Sequence, residues 1–135
     1  MIFEPLTING VRFKNRIVRS SIGGRSANYD GSVGPAWKRF ETRFAERGVA
    51  AVISGTFTVD DRRWSPLEYP KLSHDRFVGP LQDGVRAVQQ HDCRFLMQIG
   101  DPGAHTQASL LPQKEDSRSA SSVFERRRAS PGRYF

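Results

Sequence analysis

Apolar and polar residues alternate along the first part of this chain in the manner of a β-hairpin. The Asn9-Gly10 pair separates two short alternating segments. Because both central residues of a type I′ turn need positive φ angles, Asn-Gly favours such a turn, and we predict a hairpin over residues 3–13. The alternating apolar residues are Leu6 and Ile8 before the turn and Val11 and Phe13 after it.

Three later segments have the apolar runs that are typical of β-strands. Residues 15–22, 49–54 and 94–99 are the predicted strands. The run at 49–54 is almost wholly apolar, as expected for a strand that is buried on both faces of a parallel sheet. Gly23-Gly24 ends the first of these strands, and Gly100 follows the last.

A first helix is predicted between the first two of these strands. It begins at Pro35, because the N–H that proline lacks would have no hydrogen-bond partner at the first helical position. Gly48 suits the residue with a left-handed backbone conformation that follows a helix. Three aromatic residues share one face of this helix, and we interpret them as core packing. They are Trp37, Phe40 and Phe44.

A second helix is predicted from Phe77 or Pro80 to Gln90, with its apolar residues on one face. These residues are Leu81, Val85 and Val88. Gly84 interrupts the pattern and weakens the helix by about 1 kcal/mol relative to alanine.

The order of elements, a hairpin and then β-α-β-α-β, predicts an α/β protein. Its strands would be parallel and joined by right-handed crossovers, with both helices on one side of the sheet. The pattern fits a doubly wound sheet and a barrel equally well. In both architectures ligand sites gather at the carboxyl ends of the strands, so the residues there are the first candidates for a functional site.

All three strand ends carry small or hydrogen-bonding residues. Small residues let a flat ligand approach the backbone closely, although glycine and serine are also common simply where strands lead into turns. Gln98 lies within an apolar strand, and a buried amide there needs partners, either neighbouring backbone or the C=O and N–H edge of a pyrimidine-like ring. The strand-end residues are Ser20, Ser21, Ile22 and Gly23, then Ser54, Gly55 and Thr56, and lastly Gln98, Ile99, Gly100 and Asp101.

The sequence assigns no metal site and no catalytic group. The three histidines, His74, His91 and His105, lack the close spacing of metal ligands, and the glycines form no dinucleotide or phosphate loop motif. The single cysteine, Cys93, is interpreted as a buried thiol at the start of a strand. No apolar run approaches the ~20 residues of a membrane span, and no signal-peptide pattern opens the chain, so we expect a cytoplasmic protein.

Part of the formal net charge of +7 lies at the end of the chain. Residues 114–135 hold six basic and three acidic side chains in a low-complexity sequence without helical or strand periodicity. We therefore expect one domain over residues 1–113 and a basic, disordered tail over residues 114–135. The tail leaves open a different class of protein, a small basic module that binds nucleic acid, although residues 1–113 contain no nucleic-acid motif.

The opening of the chain resembles the old yellow enzyme-type NADH:flavin oxidoreductases, a group that includes the 2,4-dienoyl-CoA reductase relatives. The resemblance rests on Phe3-Glu4-Pro5-Leu6-Thr7-Ile8 and on Val11-Arg12-Phe13-Lys14-Asn15-Arg16-Ile17-Val18. Shorter matches follow in the right order at Asp30-Gly31-Ser32-Val33, at residues 48–56 and at Gln98-Ile99. Together they cover residues 2–113.

This resemblance implies the N-terminal part of a (β/α)8 TIM barrel with FMN bound at its carboxyl mouth. NADH or NADPH would be the reductant, and hydride would pass through the flavin to an activated alkene or a similar small-molecule acceptor. The resemblance assigns a catalytic role to no residue of this chain. It does imply flavin contacts for Ser20, Ser21, Ile22 and Gly23 on the first strand, for Gly55 or Thr56 on the second, and for Gln98 at the pyrimidine end of the ring.

The chain also departs from the family pattern. Gly23 stands where relatives often have Thr or Cys, and Asp101 and Ala104 stand where many have His and Arg. The family barrel needs eight β/α units, and this sequence supplies three barrel strands. We therefore expect the chain alone to be an incomplete barrel without activity.

Overall fold

The computed structural model describes residues 1–61 and 68–100, and it opens with the predicted hairpin. Strand β1 (Leu6–Ile8) pairs antiparallel with β2 (Val11–Phe13). The turn residues Asn9 and Gly10 have φ angles of 46° and 79°, the two positive values that a type I′ turn requires. The hairpin prediction is confirmed.

A three-stranded parallel sheet follows the hairpin. Its strands are β3 (Val18–Arg19), β4 (Ala51–Phe57) and β5 (Arg94–Ile99), hydrogen-bonded in the order β3-β4-β5. Helix α1 (Pro35–Glu46) connects β3 to β4. A short 3-10 turn (Asp75–Phe77) leads into α2 (Val78–Gln89), which connects β4 to β5. The predicted order of elements and their parallel pairing are confirmed.

The first two parallel strands differ in length from the prediction. β3 has only two residues, and before it the side chain of Asn15 takes the place of backbone pairing. That side chain accepts the N–H of Ile17 at 2.9 Å and donates to the carbonyl of Gly48 at 2.8 Å, so it bonds to the segment that leads into β4. β4 continues three residues further than predicted, to Phe57.

The core lies between the sheet and the two helices. One apolar cluster joins both helices to β4, and a second lies nearer the start of β5. Because α1 and α2 pack against the same strand, they lie on one face of the sheet, as predicted. The first cluster consists of Val33, Trp37, Phe57 and Leu81, and the second of Ala45, Val52, Val88 and the buried thiol Cys93.

Trp37 explains why a glycine stands in the middle of α2. Its indole makes edge contacts with the rings of Phe57 and Phe95, at a centroid distance of 5.9 Å in both cases. A Cβ atom at Gly84 would lie 2.5 Å from Cζ3 of Trp37. The glycine therefore lowers the helix propensity of α2, but it lets the indole pack directly against the backbone of this helix.

A buried ion pair ties α1 to the sheet. Arg19 of β3 donates to the carboxylate of Glu41 on α1, and also to the carbonyl of Ile53 on β4 at 2.8 Å. The guanidinium packs over the rings of Phe40 and Phe44, 5.4 and 4.7 Å from their centroids. Burial raises the pKa of Glu41 to about 7, against the opposite effect of the neighbouring guanidinium groups.

Residues 1–61 and 68–100 contain no helix that is long and apolar enough to cross a membrane. The cytoplasmic location stays a prediction. The expected disordered tail, and with it the nucleic-acid alternative, lies outside the described residues. The same holds for the departures at Asp101 and Ala104 and for His105.

Replacing Gly84 with alanine is expected to destabilise the protein by about 1–3 kcal/mol, because overlap of the new methyl group with Trp37 outweighs the gain in helix propensity. Gln82 lies on the exposed face of the same helix, so Gln82→Ala adds no methyl group near Trp37. Gln82→Ala should therefore change the free energy of unfolding by less than about 0.5 kcal/mol. Urea unfolding measures both variants, and equal stabilities would contradict the packing argument.

Replacing Glu41 with alanine leaves the guanidinium of Arg19 buried without its carboxylate. Above pH 7, where this carboxyl is ionised in the folded protein, we expect a loss of about 3–5 kcal/mol in the free energy of unfolding. Asp83 provides the matched control, because its 3.9 Å contact with Arg86 is exposed to solvent. Asp83→Ala should change the free energy of unfolding by less than about 0.5 kcal/mol, and a similar loss in both variants would show that burial is not the cause.

Glu41→Gln tests the protonation of this carboxyl group. The folded-state pKa of about 7 exceeds the ordinary glutamate pKa of 4.5, so between these values the folded protein keeps a proton that the unfolded chain has lost. The stability that this proton contributes is complete below pH 4.5 and is lost as the pH rises through 7. Urea unfolding at a series of pH values should show the wild type losing stability relative to Glu41→Gln across this window. A constant difference would contradict the raised pKa.

Candidate functional site

The carboxyl ends of β3, β4 and β5 meet at one edge of the sheet, where the sequence placed the candidate residues. After β3 the chain continues through residues 20–23, here called the β3 extension. The β3–β4 ladder ends at the pair of Arg19 and Val52, so the β3 extension runs beyond it. All four of its residues, Ser20, Ser21, Ile22 and Gly23, are exposed.

Gly55 lies directly against the β3 extension. A Cβ atom there would stand 3.1 Å from the carbonyl oxygen of Ile22 and 3.1 Å from the Cα of Gly23. Gly55 is itself buried, so in this structure its role is to let the β3 extension pass closely over β4. The place beside the flavin that the family resemblance implies for Gly55 or Thr56 stays a prediction.

Thr56 and Gln98 are register partners on β4 and β5. Phe57 points into the core beneath the helices, so the alternation along β4 turns Thr56 to the opposite face. Gln98 is exposed and not buried within an apolar strand as we expected, because β5 is the edge strand of the described sheet. The Gln98 side chain is therefore accessible at the same edge as the β3 extension.

Ser54 joins β4 to β5, a role that the sequence did not reveal. Its hydroxyl accepts the backbone N–H of Gln98 at 3.0 Å and donates to the carbonyl of Gly55 at 2.8 Å. The register between the two strands shifts between Ile53 and Thr56, so the hydroxyl supplies an acceptor that the ladder lacks at this point. The only signal in the sequence was a serine inside an apolar strand, directly before a glycine.

A second loop lies across this edge. Residues 68–72, here called the strap, run between the end of β4 and the β3–α1 loop, and backbone hydrogen bonds tie the strap to both. In two of these bonds a strap carbonyl is the acceptor: Glu68 O accepts the N–H of Ala27 (3.0 Å) and Pro70 O accepts the N–H of Thr58 (3.1 Å). In the other two a strap N–H is the donor: Lys71 donates to Gly31 O (2.9 Å) and Leu72 donates to Thr58 O (2.7 Å). An ion pair between Arg25 and Glu68, at 3.1 Å, adds to them.

Asp61 anchors the far end of the strap. Its carboxylate accepts the hydroxyl of Ser73 at 2.7 Å and lies 2.8 Å from Nε2 of His74 and 3.0 Å from Nζ of Lys71. Burial raises the pKa of Asp61, but the hydrogen bonds from these three side chains outweigh it and lower the pKa to about 2. Within the part of the chain that the structure describes, no three His, Cys, Asp or Glu side chains are grouped as metal ligands.

The family model described as NADH:flavin oxidoreductase / NADH oxidase family matches residues 1–132. The chain belongs to this family. The match confirms the resemblance that the opening residues carry, and it runs past residue 113, where we had expected the resemblance to end. The cofactors of the family are FMN and a nicotinamide reductant, as predicted.

One curated relative of this family member is a bilirubin reductase from Mediterraneibacter gnavus (strain CC55_001C). The two sequences are 28% identical over 101 residues, which are 75% of this chain and 15% of the relative. The chain thus spans about a seventh of the length of this relative.

Solved structures of old yellow enzyme type share the fold. Morphinone reductase in complex with tetrahydroNAD matches with a TM-score of 0.74 at 17% identity, over 82% of this chain and 30% of that one. Old Yellow Enzyme from Pichia sp. AKU4542 matches with a TM-score of 0.75 at 17% identity, over 91% of this chain and 36% of that one. The predicted fold class, part of a TIM barrel, is confirmed, and the described residues form three of its strands without a closed barrel.

The residues at this edge fit the ring of a flavin. A flat aromatic ring needs small residues along its face and a few hydrogen-bonding groups at its rim. Here the β3 extension is exposed and ends in glycine, Gly55 holds it close to β4, and the amide of Gln98 is accessible beside Thr56. An amide both donates and accepts, as the pyrimidine rim of a flavin requires.

Replacing Ser54 with alanine is expected to destabilise the protein by about 1–3 kcal/mol, because the backbone N–H of Gln98 loses its acceptor. Amide exchange at Gln98 should also become faster. Thr42→Ala is the control: Thr42 donates only to the Lys38 carbonyl within the exposed part of α1, so its loss should change stability by about 0.5 kcal/mol or less. Unchanged exchange at Gln98 would show that Ser54 does not hold the β4–β5 register.

Proposed function

We propose that this chain forms one wall of the flavin site of an FMN-dependent NAD(P)H oxidoreductase. The observation that carries the proposal is the meeting of the β3 extension, Thr56 and Gln98 at one carboxyl edge of a parallel sheet. Ligand sites of TIM barrels lie at this edge. Membership of the flavin oxidoreductase family makes a flavin the ligand that best accounts for these residues.

In this proposal each segment has a distinct task. Ser20, Ser21, Ile22 and Gly23 lie along the ring, and Gly55 or Thr56 contributes the small position on β4. The amide of Gln98 hydrogen-bonds the pyrimidine rim, and Ser54 positions that residue through its backbone. FMN bound at this edge would take hydride from NADH or NADPH and pass it to the acceptor.

The acceptor is proposed to be a small molecule with an activated double bond. Two proteins that this chain is similar to are named as reductases of small molecules, a bilirubin reductase and a morphinone reductase. The chain spans 15% of the first and about 30% of the second, so their substrates suggest a class of acceptor and not a particular compound. No described residue is assigned the role of catalytic acid or base.

The proposal predicts that the 135-residue chain binds the flavin ring but not tightly. Its described contacts are to the ring, whereas a flavin phosphate is usually held by backbone N–H groups at a helix N-terminus or by arginine, each such bond worth about 1.5–3 kcal/mol. We therefore expect FMN and lumiflavin, which lacks the ribityl phosphate, to bind with similar dissociation constants in the micromolar range or weaker. Steady turnover of NAD(P)H is not expected. Quenching of flavin fluorescence measures the binding.

Gln98→Ala should raise the dissociation constants of both flavins about tenfold, the effect of losing roughly 1.4 kcal/mol of hydrogen bonding. Gln82→Ala, which removes the same amide from the exposed face of α2, should leave both dissociation constants unchanged. Equal effects of the two substitutions, or no flavin binding by the wild type, would overturn the proposed site. Sub-micromolar binding of FMN but not of lumiflavin would show that the chain also holds the phosphate.

A further inference from the structure

We propose that Tyr69 is a flavin-contacting residue of this chain, and that its phenol takes the place of the side chain that Gly23 lacks. The inference rests on the proposed flavin site and adds a residue to it. Sequence patterns gave no reason to place Tyr69 there, because it lies 46 positions from Gly23 in a loop without periodicity.

The inference is based on the contact between Gly23 and Tyr69. A Cβ atom built on this glycine would overlap the hydroxyl of Tyr69 and would lie 2.7 Å from its Cζ and 3.0 Å from its Cε1. The three nearest atoms therefore all belong to one phenol ring, and the hydroxyl is the nearest of them. The space that a side chain at position 23 would fill holds the polar end of Tyr69.

Gly23 is also confined on the β4 side, where Gly55 stands. A Cβ atom at Gly55 would meet the Gly23 Cα at 3.1 Å. The β3 extension is thus close to β4 and to a phenol at the same residue. The phenol requires that position 23 have no side chain, and the backbone of Gly23 requires the same of position 55. The phenol of Tyr69 therefore packs directly against the exposed segment that we place along the flavin.

The strap holds Tyr69 from both sides. The carbonyl of Glu68, directly before it, accepts the N–H of Ala27 at 3.0 Å, and the carbonyl of Pro70, directly after it, accepts the N–H of Thr58 at 3.1 Å. The first bond fixes the strap to the β3–α1 loop, and the second fixes it to the end of β4. A ring whose two neighbours in sequence are fixed to different elements loses little further freedom when it contacts a ligand.

The chemistry of a phenol suits this place. Its hydroxyl donates and accepts hydrogen bonds, and its ring offers an apolar face to a flat ligand. Glycine at position 23 offers neither. Tyr69 would therefore supply the hydroxyl group that the β3 extension lacks at its last residue, and it would hold one side of the flavin ring.

The first test needs no flavin. Gly23→Ala should lower the urea midpoint of the full chain, because its methyl group overlaps Tyr69, and most of that loss should disappear when Gly23→Ala is made in a Tyr69→Ala background. An equal loss in both backgrounds would overturn the assigned contact. Tyr69→Phe keeps the ring that fills the space beside Gly23, and its urea midpoint is measured in the same way before it is used in the second test.

The second test measures binding of FMN to the full chain by fluorescence quenching. Tyr69→Phe should raise the dissociation constant of FMN about fivefold to tenfold, as expected for one lost hydrogen bond, and should shift the absorbance spectrum of the bound flavin. Tyr29→Phe is the matched control, because Tyr29 is 77% exposed on the β3–α1 loop, and it should change neither.

The outcomes separate this inference from the proposed flavin site. If the wild type binds FMN with the expected dependence on Gln98 but Tyr69→Phe binds it equally well, the role of Tyr69 is overturned and the flavin site stands. If Tyr69→Ala binds FMN more tightly than the wild type, the phenol obstructs the site and the inference is wrong. If the wild type does not bind FMN, the flavin site and the inference fail together.

Discussion

The buried guanidinium of Arg19 fixes the arrangement on which the candidate site depends. It bonds to the carbonyl of Ile53 on β4 and to the carboxylate of Glu41 on α1, so that one side chain joins three elements. β3 itself has only two residues, too few to set its own position by backbone pairing alone. The β3 extension begins at the next residue, so its place over β4 follows from this ion pair. A buried pair of this kind adds little net stability, but it penalises every arrangement that separates its partners.

The site is shaped as much by missing side chains as by those present. Gly55 lets the β3 extension approach β4, Gly23 leaves room for the ring of Tyr69, and Gly84 leaves room for the indole of Trp37. In each case a Cβ atom would meet a neighbour at 3.1 Å or less. These glycines are needed for close approach and not for unusual backbone angles, since none of the three has a positive φ.

The sequence predicted the features that depend on neighbouring residues. Asn9-Gly10 set the hairpin turn, Pro35 and Gly48 bounded α1, and the apolar runs located β4 and β5. The family's flavin segments could be matched because they lie at strand ends that these patterns already define. Local signals of this kind survive in a single sequence, because each residue acts on its own stretch of backbone.

What the sequence did not reveal depends on contacts between distant segments. Nothing local marks Glu41 as the partner of Arg19, Trp37 as the reason for Gly84, or the strap as the neighbour of the β3 extension. The burial of Gln98 was wrongly expected for the same reason, since an apolar strand has the same composition at the edge of a sheet as at its centre. Distance along the chain hides such relations until the fold brings the segments together.

The outer edge of β5 links the stability of this sheet to the proposed flavin site. Within residues 1–61 and 68–100 no strand pairs with that edge, Leu96 and Ile99 are 42% and 59% exposed on β5, and an unpaired edge with apolar side chains favours pairing with a further strand. In a closed barrel every strand has two neighbours, so pairing at β5 would cover these side chains and turn the surroundings of Gln98 from solvent into protein. Hydrogen bonds to a ligand are stronger where water is excluded. The same pairing that stabilises β5 would therefore strengthen the contact of Gln98 with a flavin, and the affinity of the site depends on the completeness of the sheet around it.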